Sequence, residues 1–158
     1  MALQAPPAAA PPALIAPAQA ASIRAQYGWG YAGPDGEGVG TLSLLMETAT
    51  GRLILELHGP GERLLLLQGD AASGYRLQVP RQKVDQRATY LSELALPFLP
   101  QVLSVEGLLH LLRTGEGAGI TVQKKDAQGP LRLQWRGKDP RGKEEQVWLE
   151  RKRWEEGR

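Results

Sequence analysis

The chain contains no cysteine and no asparagine, only one phenylalanine and only two histidines in 158 residues. Without cysteine there can be no disulfide and no thiolate metal site. Two histidines, His58 and His110, lie far apart in sequence, whereas a zinc centre needs three or four clustered ligands. Both are therefore read as surface or boundary residues, and no metal or other cofactor is expected. Aromatics make up 6% of the chain, so leucine and valine must supply most of the burial that its 42% apolar content allows. The scarcity of asparagine and cysteine points to a thermophile or a GC-rich genome.

Charge of one sign is also lacking. Nineteen basic residues face seventeen acidic ones, a net charge of +2, and nucleic-acid binding needs a concentrated basic face. No nucleic-acid partner is expected. No apolar run approaches the ~18 residues that a membrane-spanning helix requires. The first residues lack the charged and apolar regions of a secretion signal, so the protein is expected to be cytosolic or to follow a removed signal.

What is present begins with a stretch of alanine and proline over residues 1–21, including Ala5 to Pro12. Such a segment cannot bury enough apolar surface to fold alone and reads as an extended, disordered tether. Residues 22–154 read as one domain, and residues 155–158 as a frayed end of the charged run from Arg151 to Arg158.

Within that domain apolar residues alternate with polar ones, the period of a half-buried strand. The alternation predicts strands at Ser22–Tyr31, Thr41–Glu47, from Arg52 to His58, Arg63–Gln68, Tyr75–Val79, Gln82–Gln86, Ile120–Lys125, Leu131–Trp135 and Gln146–Glu150. Gly28 and Gly30, on the polar face of the first, suggest a bend or the close approach of another backbone. Ala32–Gly40 is read as a hairpin loop. Short turns make sequential strands antiparallel neighbours, a meander. Between the sixth and seventh strands the spacing becomes helical. One stripe runs from Tyr90 to Val102, broken by Pro97 and Pro100. A second follows Ser104 as N-cap, with Val105, Leu108, Leu109 and Leu112 on one face and Gly115 at the end.

No catalytic constellation emerges. The glycine-rich stretches Gly36–Gly40 and Gly115–Gly119 each lead into a strand rather than a helix, unlike a phosphate loop. There is no Gly-x-Ser-x-Gly elbow. Adjacent glutamates, such as Glu144 and Glu145, point to opposite faces of a strand and form no dyad. The protein is read as a non-enzyme.

The remaining signal is an excess of leucine on one sheet with few helices to cover it. That pattern suggests a curved sheet whose incompletely filled hollow takes an acyl chain, each buried CH2 contributing about 0.8 kcal/mol. The candidate lining residues are Leu53, Leu55, Leu57, Leu65, Leu67, Leu77, Leu94, Phe98, Leu109, Leu133 and Trp135. The alternative is a fully packed core serving as a scaffold or interaction module.

The order Arg52-Leu-Ile-Leu-Glu-Leu-His-Gly-Pro-Gly61, the leucine run after it, Gly69-Asp70, Tyr75 to Pro80 and the helix ending Leu108-Leu-His-Leu-Leu-Arg-Thr-Gly115 resembles the bacterial lipoprotein-localisation factor superfamily, the LolA/LolB-like proteins. The resemblance covers about residues 22–150. It implies an α+β fold: an antiparallel β half-barrel of about nine strands covered by two or three short helices. It further implies a periplasmic, outer-membrane-anchored lipoprotein, with a lipid or lipoprotein acyl chain as partner, the anchor preceding Met1, and a monomeric state. The sequence departs from the family pattern in two respects: the loops at Ala32–Gly40 and Gly59–Arg63 carry none of the leucine or aromatic tips by which receptor-type members insert into a membrane, and the strand count after the helices is short.

Overall fold

The structure, a computed structural model, describes residues 21–94, 104–139 and 141–157. Its elements are β1 (Ser22–Gly33), β2 (Gly36–Glu47), β3 (Arg52–Gly59), β4 (Glu62–Asp70), β5 (Gly74–Val79), β6 (Val84–Ala88), α1 (Val105–Thr114), β7 (Ile120–Asp126), β8 (Gly129–Lys138) and β9 (Glu144–Gly157). All nine strands lie in one antiparallel sheet, ordered β6-β5-β4-β3-β2-β1-β9-β8-β7, with β6 and β7 as unjoined edges. The sheet is open.

It consists of two meanders rather than one. The chain runs outward from β1 to β6, returns through α1, and lays β7, β8 and β9 down from the opposite edge inward. β9 then pairs with β1 from Ser22↔Gly157 to Ala32↔Gln146. The end of the chain read as frayed is thus strand through Gly157. A bulge at Lys152 lets the charged run fit: it resets the register between Gln26 and Tyr27 and leaves Arg151 opposite Tyr27. The Ala32–Gly40 stretch is likewise mostly strand, with Gly33 paired to Gly36 around a tip at Pro34 and Asp35.

The alternation in the sequence becomes a sheet with one buried face. Ile23, Ala25 and Tyr27 of β1, Leu42 and Met46 of β2, and Leu53, Leu55, Leu67 and Leu77 further out are almost fully buried, with α1 packed over the same cluster. On the other face Gly30 accommodates neither a bend nor a backbone. The Trp148 ring lies over it, 2.0 Å from where a Cβ would stand. The Arg132 guanidinium in turn sits 5.8 Å from that ring's centre, a cation–π contact.

α1 forms as its local signals direct. The Ser104 hydroxyl accepts from the Gly107 N–H at 2.9 Å, and Gly115 closes the helix in the left-handed region at φ 75°. Glu106 and Arg113 complement the helix dipole at its two ends. The expectation of two or three helices is corrected: among the described residues α1 is the one α-helix. Of the Tyr90–Val102 stripe, the described residues form a 3-10 turn at Leu91–Glu93, flanked by extended Tyr90 and Leu94, and the rest lies outside the described residues. Phe98 lies outside the described residues, as does the tether at 1–20. Ala21 is pinned, its N–H donating to the Thr48 hydroxyl at 2.9 Å.

Surface ion pairs set the expected response to acid. Asp126 is held below the ordinary carboxylate range by its hydrogen bond from Arg151, Asp85 by Arg76, and Glu156 by Arg113. Each folded-state value lies below the unfolded one. The stabilisation is therefore present above the unfolded pKa, near ~4, and is lost as pH falls through the lower folded values. Thermal melts should give a midpoint that is flat from pH 7 to about 5 and falls below about 4. Asp126→Asn should flatten the acid limb; an unchanged limb would remove Asp126 from this account.

Candidate functional site

Where α1 crosses the sheet, the two do not meet everywhere. A partly open cavity of about 30 Å3 remains between them, and every residue lining it is apolar. Its floor is Leu42 and Leu44 of β2, Leu55 of β3, Val147 and Leu149 of β9 and Leu133 of β8. Leu108, Leu111 and Leu112 of α1 form its roof, and Ile120 and Trp135 stand at the β7–β8 side. Space of this size accepts about two waters, and an apolar site offers them no partners.

Of the expected lining residues, Leu55, Leu133 and Trp135 line this cavity. Leu53, Leu57, Leu65, Leu67, Leu77, Leu94 and Leu109 belong to the continuous buried cluster around it without bordering the space. The residues that sequence reasoning missed include Leu42, Leu44, Val147 and Leu149. Their alternation was visible, but the pairing of β9 with β1, which brings the two halves of the floor together, was not.

One polar pair interrupts the apolar face beside the cavity. Tyr27 stands between Leu42 on β2 and Arg151 on β9. Its hydroxyl is buried and has no hydrogen-bond partner among the described residues. Burial pushes the phenol well above its ordinary range, against the opposing pull of the Arg151 cation. Arg151 is itself 8% exposed. Its guanidinium donates to the Pro130 carbonyl at 2.9 Å and to the carboxylate of Asp126.

Elsewhere both histidines are paired with glutamates. His58 bonds Glu56 at 3.1 Å and His110 bonds Glu116 at 2.7 Å. Among the described residues no three of His, Cys, Asp and Glu are grouped to hold a metal ion. The arrangement offers apolar burial beside one buried cation and one buried hydroxyl. Compared with known proteins, the chain matches no protein-family model and no curated protein sequence.

Proposed function

We propose that this domain is a non-catalytic half-barrel that binds an acyl chain or another hydrophobic ligand between its sheet and α1, in the manner of the lipoprotein-localisation factors its sequence resembles. The observation that carries the reading is the wholly apolar cavity beneath a single helix. A broad leucine-covered sheet roofed, among the described residues, by one ten-residue helix is a surface that a chain of CH2 groups can enter by displacing that helix. Each CH2 transferred contributes about 0.8 kcal/mol. The setting we propose is the periplasmic side of the envelope, with the domain anchored at the outer membrane and acting as a monomer in lipid or lipoprotein transport.

The cavity as it stands is about a tenth of the roughly 300 Å3 at which ligand pockets begin, so binding requires α1 to lift. The same fact favours a second reading, an envelope scaffold with a packed core and no ligand. Titration of delipidated protein with a fluorescent fatty acid decides between them. Saturable uptake at about one chain per protein is expected. No uptake, together with no lipid in the native mass spectrum of freshly purified protein, would leave the scaffold.

A further inference from the structure

The cavity explains the leucines but not Tyr27 and Arg151. The tyrosine is 2% exposed, and a buried hydroxyl without a partner demands an explanation. Phenylalanine would fill the position without leaving a hydroxyl unpaired. Arg151 spends its fork on one carbonyl and one carboxylate, leaving further N–H donors unspent. Neither side chain lines the apolar space itself, but a neighbour of each in the sheet does. Leu42, directly opposite Tyr27, and Leu149, two residues from Arg151 on the same strand face, line it.

A neutral hydroxyl donor and a fixed guanidinium one sheet position from the lining of an apolar cavity are the complement of an anionic head on an apolar tail. The guanidinium fork matches a carboxylate in shape and charge. We infer that Tyr27 and Arg151 are the head-group end of the ligand site, and that the ligand is a single-chain amphiphile with a carboxylate head. The inference rests on the hydrophobe-binding reading above and narrows it to a ligand class.

Asp126 completes the device. Its carboxylate already occupies Arg151, and its side chain is 43% exposed. Asp126 thus holds the place of the ligand's carboxylate when the site is empty. Being near solvent, it can give up Arg151 and hydrate, whereas a ligand head beside Tyr27 cannot. The resident aspartate and the incoming carboxylate therefore compete for one cation.

The test uses the full chain, with dodecanoate and dodecanol, both below their aggregation limits, displacing a fluorescent hydrophobic probe. The two share a tail and differ in the head. Dodecanoate is expected to bind about tenfold more tightly, the effect of one hydrogen bond to a charged group. Tyr27→Phe should leave the melting temperature of the empty protein unchanged or raised, weaken dodecanoate and leave dodecanol as it was. Asp126→Asn should tighten dodecanoate alone. Equal binding of acid and alcohol by the unmodified protein, or acid binding indifferent to Tyr27→Phe, overturns the inference while the hydrophobe-binding reading stands. If the probe itself is not taken up, that reading falls and the inference with it.

Discussion

Replacing Gly40 with alanine is expected to destabilise the protein by about 2–4 kcal/mol, as much as truncating a core leucine. A Cβ at this position would lie 1.8 Å from the His58 carbonyl oxygen and 2.7 Å from Trp29 Nε1. Those two atoms are themselves hydrogen-bonded, the indole N–H donating to the carbonyl at 3.0 Å. The carbonyl belongs to the backbone of β3 and cannot rotate away. β2 and β3 must part locally, and the loss of the indole's bond to that carbonyl adds about 1 kcal/mol. Gly61 supplies the control. It has φ 77° but open space around it, so Gly61→Ala should cost only the backbone strain of about 1 kcal/mol. Urea unfolding of the two variants measures the difference. A Gly40→Ala protein no weaker than Gly61→Ala would show that β2 and β3 are not held as closely as described.

The same glycine marks the limit of what the sequence discloses. Alternation located all nine strands, because a sheet with one buried face must repeat every two residues. It did not delimit them. Gly36 to Gly40 reads as loop by composition, yet it is strand, because the aromatic side chains of β1 supply the bulk that its glycines lack. Trp29 packs against Gly38 and Gly40. Arg151–Arg158 reads as a solvated end by its charge, yet β9 runs on to Gly157, because the Lys152 bulge turns Arg151 inward and leaves Glu156 to meet Arg113 of α1 at 2.8 Å. Short turns identified neighbours within each meander. The partnership of β1 with β9 joins opposite ends of the domain, and no local signal encodes it. The leucines of the sheet were therefore visible, and with them three of the cavity's lining residues, Leu55, Leu133 and Trp135, while the place of the cavity, where β2, β3, β8, β9 and α1 converge, was not. The Tyr27–Arg151 pair was hidden for the same reason: it exists only in the β1–β9 register.

Leu112→Ala should have two effects of opposite sign. Leu112 is 3% exposed, lies on the buried face of α1 and borders the cavity. Removing most of its side chain forfeits transfer energy and leaves a void that the sheet, held by strand pairing on both sides, cannot close. A loss of about 2–4 kcal/mol is expected, with a midpoint lower by roughly 10 °C. The new void adjoins the existing apolar space, with no polar group in its lining to hold water, and dry apolar cavities accept apolar guests. The variant should therefore take up the fluorescent fatty acid more tightly than the unmodified protein, and saturating ligand should restore part of its lost stability. At a hundredfold excess over the dissociation constant, that recovery is about 2.7 kcal/mol. Leu67→Ala supplies the contrast. Leu67 is fully buried in the sheet but does not border the cavity, so it should bring a similar loss of stability with no gain in uptake. Equal uptake by both variants would mean that the ligand does not enter beneath α1.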